Sequence, residues 1–320
     1  MWNYIWKIKN RNIWQNYIMF LSDYFLEDFG YCMRINKMQL LMAAPCKIWK
    51  LWRETYLRQQ IYFLPEGGET LTLPIHYNHI VQAMIYDSLD DDIAYFLHEK
   101  GFIHGKRTFK MFTFSRLTGT YSINKKEGKI TFTGPVSLVV TSPYSNFCNS
   151  LANGLLLKSN VRLGNTKMKV TDITLEKDLI DDKEIRIRTL SPIVVYSTLL
   201  RPDGRKYTCY FEPGEKDFDE IMQNNLRKKY KAFHEADPPT GNVSITPLRQ
   251  PKLSIINYKN TVIKGYSGTF TLSGPAPLLQ IAVESGLGSK NSQGFGCVRV
   301  IKWRRRAKPF FFWTLIGRLI

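Results

Sequence analysis

The sequence predicts an α+β fold built from two tandem ferredoxin-like (RRM-like) domains, each with the element order β-α-β-β-α-β. Strand-like and helix-like segments alternate between residues 59 and 303, and the same order of segments occurs twice. The two copies meet near residues 177–184, where charged residues are dense and apolar ones are few. We therefore predict an N-terminal domain at residues 59–180 and a C-terminal domain at residues 181–303.

The first copy begins with "QIYFLPEGGETLTLP", which reads as a strand, a glycine-rich turn and further extended residues. The next segment, "HYNHIVQAMIYDSL", predicts a helix because its apolar residues fall on one face: Ile80, Val81, Met84, Ile85 and Leu89. A second short helix is expected from Asp90 to a stop at Gly101. Two strands ("TFKMFTFSRL" and "KITFTGPVSLVVTS"), a helix ("YSNFCNSLANGLLL") and a strand ("KMKVTDITLEK") complete the copy.

The second copy repeats this order. It comprises a strand ("IRIRTLSPIVVYSTL"), a long helix ("KDFDEIMQNNLRKKYKAFHE"), two strands ("VSITPLRQPKLSII" and "VIKGYSGTFTLSG"), a helix that begins with prolines ("PAPLLQIAVESG") and a last strand ("GCVRVIKW").

The two ends differ from this pattern. Residues 1–58 hold five of the seven tryptophans and show neither clean alternation nor a capped helix, and residues 304–320 join a basic cluster to an aromatic end. We expect an atypical N-terminal extension at 1–58 and a basic, aromatic tail at 304–320, neither of them part of the core fold. The formal net charge is +18, of which residues 1–58 carry +5, residues 302–320 carry +6 and the middle carries +7. The charge favours a polyanion such as nucleic acid, or an anionic membrane surface, but in the middle of the chain it is modest.

Several classes of protein are disfavoured. The five cysteines are widely spaced, with no C-x-x-C pair, so neither a disulfide framework nor a zinc ribbon is expected. The five histidines include no H-E-x-x-H motif and no ligand cluster, so we expect no metal and no cofactor. The sequence has no signal-peptide core and no long uncharged apolar run, so we expect a cytoplasmic protein that does not contact a membrane.

One stretch stands out near the C-terminus: "SGLGSKNSQGFGCVRV", residues 285–300. Its glycines could let the backbone approach a ligand or present N–H groups to phosphate oxygens. The spacing fits neither a P-loop nor a dinucleotide fingerprint, since a helix precedes the glycines and a strand follows them. A flexible helix-to-strand connection explains the pattern equally well.

Three residues in the first domain could carry out acid-base chemistry: Tyr86, His98 and Lys110. Together they could take a proton from a ribose 2′-hydroxyl, give one to the leaving 5′-oxygen and stabilise charge at the phosphorus without a metal. Each residue also has an ordinary structural explanation: packing for the tyrosine, helix capping for the histidine and an exposed, solvated position for the lysine. We expect Lys110 to open a strand.

A set of motifs in this order resembles the CRISPR-associated endoribonucleases that process precursor crRNA, within the repeat-associated mysterious protein (RAMP) superfamily. The motifs are "LPIHYNHIVQAMIYDSL", "FLHEKG", "FKMFTFSRL", "LANGLLL", "TLSPIVV" and "SGLGSKNSQGFGCVRV". The resemblance spans residues 59–302. It implies tandem ferredoxin-like domains, an antiviral role and metal-independent cleavage within the repeat that leaves a 2′,3′-cyclic phosphate.

The resemblance also implies residue roles. The family's catalytic tyrosine, histidine and lysine fall on Tyr86, His98 and Lys110, with His104 in reserve; which of the first two is the base stays open. The predicted RNA-binding residues are Gly286, Gly288, Ser289, Lys290, Asn291, Ser292, Gly294, Gly296 and Arg116. Weaker candidates for backbone contacts are Lys106, Arg107 and the helix segment "NNLRKKYK", which could equally be a solvated face.

The expected partner is a precursor crRNA repeat, a CRISPR effector complex is a further candidate partner, and the protein is expected to be a monomer or homodimer. Two alternatives remain open: a non-catalytic crRNA-binding subunit with the same fold, and a small-molecule enzyme that uses the loop for a nucleotide.

Overall fold

The computed structural model describes residues 57–301 except 69 and 159. The α-helices of this part are α1 (Asn78–Asp87), α2 (Asp91–Tyr95), α3 (Ser145–Leu157), α4 (Lys216–His234) and α5 (Ala276–Ser285). The strands are β1 (Leu57–Pro65), β2 (Leu71–Pro74), β3 (Phe102–His104), β4 (Arg107–Phe109), β5 (Thr113–Phe114), β6 (Thr118–Asn124), β7 (Lys129–Ser142), β8 (Asn160–Leu163), β9 (Thr166–Glu176), β10 (Glu184–Thr189), β11 (Tyr196–Leu200), β12 (Lys206–Tyr210), β13 (Ser244–Pro247), β14 (Lys252–Tyr258), β15 (Thr261–Ser267), β16 (Thr269–Ser273) and β17 (Val298–Val300). The α+β class is confirmed; the predicted tail, and the N-terminal extension apart from residues 57 and 58, lie outside the described residues.

The first half of the chain forms an antiparallel sheet in the order β2-β7-β1-β9-β8, with β5 and β6 also paired to the long strand β7. Strand β1 is central, so that Ile61 lies opposite Leu138 of β7 and Ile173 of β9. Helices α1 and α3 pack on this sheet through buried apolar side chains such as Val81 and Leu151. The predicted apolar face of α1 is confirmed, since four of its five residues are buried and Ile80 is half-buried against the same core.

The second half forms a four-stranded antiparallel sheet in the order β13-β16-β10-β17. Helices α4 and α5 supply buried residues to its core, among them Phe218, Leu226 and Leu279. Two hairpins, β11–β12 and β14–β15, form separate two-stranded sheets. Each of the three strands predicted at residues 185–199, 243–256 and 262–274 is therefore two strands, one in the sheet and one in a hairpin.

A short hairpin, β3–β4, joins the two halves. Its Phe102 packs against the cores of both, and the Phe102 ring lies 5.3 Å from that of Phe233 on α4. The strand predicted at residues 108–117 is divided into β4 and β5, because β4 pairs with β3 whereas β5 pairs with β7. Between them the chain turns at Met111, whose φ is 53°. The expectation that Lys110 opens a strand was wrong, since it follows the end of β4.

None of the helices between residues 57 and 301 is both long enough and apolar enough to cross a membrane.

Candidate active site and nucleic-acid interface

Helix α1 connects the candidate tyrosine to the glycine-rich loop. Asn78, Gln82 and Tyr86 are spaced four residues apart, so they lie on one face of the helix. The Asn78 amide donates to the carbonyl of Gln293 at 2.9 Å, and the Gln82 amide donates to that of Ser292 at 2.7 Å. The sequence analysis missed these two residues, although their polar i, i+4 spacing beside an apolar stripe was visible.

Tyr86 is half-buried beside the candidate histidine. Its ring packs edge-on against His98 with 6.2 Å between ring centroids, and against Phe112 with 5.8 Å. Burial, with a smaller contribution from the nearby Tyr258, raises the pKa of Tyr86 to about 12. The phenol is therefore protonated at neutral pH.

His98 and Lys110 meet at the turn that follows α2. His98 lies in a π-helical turn, Phe96–Lys100, with its side chain 75% exposed and its Nδ1 2.7 Å from the carboxylate of Glu99. The Lys110 ammonium donates to the backbone carbonyl of His98 at 2.6 Å. Burial lowers the pKa of Lys110, and the Glu99 carboxylate partly opposes this shift. Lys110 is thus held at the backbone of the histidine.

Gly101 makes this approach possible. It ends the π turn with a φ of 65°, as predicted for a helix stop. A Cβ at this position would lie 2.8 Å from Cγ2 of Thr108 and 2.9 Å from the carbonyl oxygen of Phe109. Any larger residue would push the histidine turn away from the segment that carries Lys110.

The glycines of the loop are buried and pack against the protein itself. A Cβ on Gly296 would lie 1.9 Å from the carbonyl oxygen of Leu287, and one on Gly288 would lie 2.4 Å from that of Val194. Both have positive φ, as do Gly286 and Gly294. Tight internal packing therefore explains why glycine occupies these positions. RNA contact by the four glycines stays a prediction.

Asn291 holds the loop together. Its amide donates to the carbonyls of Leu287 and Phe295, both at 3.0 Å, and its Oδ1 accepts a hydrogen bond from Lys229 of α4 at 2.8 Å. All three bonds are internal, so the side chain is engaged before any ligand arrives.

The loop and the Lys110 segment line one cavity of about 580 Å³. Its lining residues are 107–112, 196–198, 221, 225, 229 and 288–292. At its edge the Lys290 ammonium lies 5.2 Å from the ring centre of Tyr196, a cation–π distance. Burial lowers the pKa of Lys290. The structure thus brings Lys110 together with Ser289, Lys290 and Ser292, whereas Tyr86 and His98 do not line the cavity.

The remaining candidates are more scattered. Arg116 is exposed, and its guanidinium donates to Ser254 Oγ at 3.1 Å. His104 pairs with Arg107 across the β3–β4 hairpin, and Lys106 lies in the turn between them.

The basic segment of α4 is not simply a solvated face, because Lys229 is 2% exposed. This buried lysine was also missed, since charge alternation on a helix does not show which charge faces inward. Among residues 57–301 no group of three or more His, Cys, Asp or Glu side chains is placed to hold a metal ion.

Comparison with known proteins gives the family. The family models described as "CRISPR-associated protein Cas6, N-terminal" and "CRISPR associated protein Cas6, C-terminal" match residues 72–174 and 174–300. A "CRISPR-associated endoribonuclease Cas6 1" of Methanocaldococcus jannaschii is 29% identical over 227 residues, which is 71% of this chain and 86% of the relative. A "CRISPR-associated endoribonuclease Cas6" of Pyrococcus furiosus is 27% identical over 257 residues, 76% of this chain and 90% of the relative.

A solved structure described as "Characterization of a Cas6-related gene from Pyrococcus furiosus" shares the fold, with a TM-score of 0.68 at 22% identity over 78% of this chain and all of that one. The two family models together span the second sheet, the first sheet apart from β1 and the start of β2, the candidate catalytic residues and the glycine-rich loop. On this evidence the chain belongs to the CRISPR-associated Cas6 family.

Proposed function

We propose that the protein is a metal-independent endoribonuclease that cleaves precursor crRNA within CRISPR repeats, as part of CRISPR antiviral defence. Membership of the Cas6 family and the endoribonuclease names of two relatives support this proposal. The single observation that carries it is the meeting of Tyr86, His98 and Lys110, with the tyrosine and histidine rings in edge-to-face contact and the lysine bonded to the histidine backbone.

The proposed reaction uses the ribose 2′-hydroxyl as the nucleophile. A base removes its proton while the oxygen attacks the adjacent phosphorus, and an acid protonates the departing 5′-oxygen. The products are a 2′,3′-cyclic phosphate and a 5′-hydroxyl. Lys110 would stabilise the negative charge that builds on the phosphate oxygens in the transition state.

The raised pKa of Tyr86 supports one division of roles. A phenol that stays protonated at neutral pH can donate its proton to the 5′-oxygen. His98, with most of its imidazole exposed, would then accept the proton of the 2′-hydroxyl. In the resting structure its Nδ1 faces Glu99, so Nε2 is the ring nitrogen that would take this proton.

The fold and the interface complete the proposal. We assign tandem ferredoxin-like domains divided near residues 177–184, supported in the second half by the order β10-α4-β13-β16-α5-β17 around one four-stranded sheet. The RNA would lie along the glycine-rich loop, with Ser289, Lys290 and Ser292 as contacts and Asn291 shaping the loop. Arg116 would contact the RNA backbone outside the cavity.

Alanine substitution of the two neighbouring histidines tests the proposal. His98→Ala is expected to slow single-turnover cleavage of cognate repeat RNA by about 10²–10⁴-fold, the usual contribution of a general acid or base. His104→Ala tests the reserve candidate in the same assay. Unchanged cleavage by both variants would sink the proposal.

A second candidate function is a non-catalytic subunit that holds crRNA. It is favoured by the resting contacts of the candidate residues, since the His98 imidazole faces Glu99 and the Lys110 ammonium faces a backbone carbonyl. Tight binding of repeat RNA by the unmodified protein without any cleavage would select this function instead.

A further inference from the structure

The cavity beside the glycine-rich loop has an unbalanced charge. Four of its lining residues are basic, namely Arg107, Lys110, Lys229 and Lys290, and none is an aspartate or glutamate. Walls of one sign raise the local concentration of oppositely charged ligands. The cavity is therefore suited to an anion.

Lys229 is the most unusual of these residues. It is 2% exposed, and its ammonium donates to the carbonyl of Gly286 at 2.6 Å and to Oδ1 of Asn291 at 2.8 Å. Both acceptors are neutral, and no carboxylate of the described residues lies within ion-pair distance. Burial accordingly lowers the pKa of Lys229 to about 7. A buried ammonium without a counter-charge is unfavourable, and an anion in the cavity would relieve this.

A second polar group at the cavity lacks a partner. Asn225 lies one helical turn before Lys229 on α4, is 5% exposed and also lines the cavity. Its Oδ1 accepts no hydrogen bond within the part of the chain that the structure describes. A buried acceptor without a donor is costly, so a ligand that offers an N–H or O–H group is expected to be favoured.

We propose that this cavity binds one nucleotide of an RNA chain, with its phosphate near Lys229 and its sugar or base within reach of Asn225. The inference rests on the proposed function, because Lys110 is shared between the cavity and the candidate catalytic set, which places the bound nucleotide beside the scissile phosphate. The cavity of about 580 Å³ lies within the usual size range of ligand pockets, roughly 300–1,000 Å³. Tyr196 supplies an aromatic ring on which a base can stack.

The test measures binding without cleavage. The probe is a labelled single-stranded RNA decamer with 2′-O-methyl groups throughout, which cannot be cleaved by its own 2′-oxygens. Lys229→Met is expected to weaken binding by at least about tenfold, because it removes a charge-assisted contact to phosphate. The matched control is Lys216→Met on the same helix, which removes the same charge from an exposed residue that neither lines the cavity nor belongs to the segment "NNLRKKYK", and it is expected to change affinity by less than about threefold.

Two further measurements separate a ligand contact from a purely structural role. Lys229→Gln keeps an N–H donor for the loop and loses the charge, so it should also weaken binding while its melting temperature stays near that of the wild type. The affinity of the wild type should fall between about pH 7 and pH 9 as Lys229 loses its proton. Lys229→Met should show a shallower fall over the same range.

Several outcomes would overturn the inference. Equal affinities of Lys229→Met and Lys216→Met for the decamer would do so, as would full binding by Lys229→Gln. Saturable binding of free uridine 3′-monophosphate without Lys229-dependent binding of the decamer would identify a free-nucleotide site instead. If the wild type fails to cleave cognate repeat RNA but binds the decamer through Lys229, the proposed function fails and the binding site stands.

Discussion

Replacing Gly296 with alanine should loosen the glycine-rich loop. Gly296 has a φ of 74°, and alanine in this left-handed region costs about 1–2 kcal/mol. In addition, the new Cβ would lie 1.9 Å from the carbonyl oxygen of Leu287. The backbone must shift, which breaks the bond from the Leu287 amide to the Gly296 carbonyl, now 2.9 Å. A buried hydrogen bond lost in this way costs about 1–3 kcal/mol, so the total is about 2–5 kcal/mol.

Gly204→Ala provides the matched control. Gly204 has a similar φ of 77°, but a Cβ there would meet nothing within 4 Å. Only the conformational cost of about 1–2 kcal/mol should remain. Comparing the two variants therefore isolates the contact with Leu287 from the cost of the left-handed backbone.

Urea-induced unfolding of the full chain measures both changes. At about 2–4 °C per kcal/mol for a domain of this size, Gly296→Ala should also lower the melting temperature clearly more than Gly204→Ala. Binding of repeat RNA should weaken for Gly296→Ala alone. Equal losses of stability in the two variants would refute the close packing of the loop as the reason for this glycine.

Three further predictions concern the candidate site. Tyr86→Phe should slow cleavage by about 10²–10⁴-fold without loss of stability, whereas the exposed Tyr95→Phe should leave the rate unchanged; an unchanged rate in Tyr86→Phe excludes its hydroxyl from proton transfer. The pKa of Lys229 is about 7 in the folded protein and about 10.4 in the unfolded chain, so its destabilising effect is full below pH 7 and declines as the pH rises. The stability of the wild type relative to Lys229→Met should therefore rise by about 2 kcal/mol between about pH 7 and pH 9 in chemical unfolding, and a constant difference would contradict this. Gln82→Ala should destabilise the protein by about 1–3 kcal/mol, because it removes two hydrogen bonds, the one to the Ser292 carbonyl and the one from the Tyr258 hydroxyl, and it should weaken RNA binding. Ala83→Ser, at an exposed position of the same helix, breaks neither bond and serves as the control.

Local patterns predicted the parts of the structure that depend on local physics. The apolar stripe of α1 was visible because burial on one face repeats with the helical period, and Gly101 was recognised as a stop because glycine readily adopts positive φ. The strand breaks were not visible, since the alternation of residues 243–256 is the same whether a strand stays in the sheet or leaves it as a hairpin. Which sheet a strand joins is decided by distant partners.

The same limit applies to the site. Tyr86, His98 and Lys110 were identified through their motifs, but the role of Lys229 depends on the loop that lies some sixty residues further along the chain. The glycines of that loop were predicted from composition to approach a ligand. Their close contacts with Leu287 and Val194 are tertiary contacts that composition does not show.

Cleavage of cognate repeat RNA in the presence of EDTA tests the central claim most directly. The full chain is incubated with the RNA and, in parallel, with RNAs that carry a single 2′-deoxy substitution at each candidate position. The account predicts that cleavage survives EDTA and is abolished by one substitution, the one that removes the attacking hydroxyl. Cleavage that stops in EDTA, or that persists with every substitution, would contradict it.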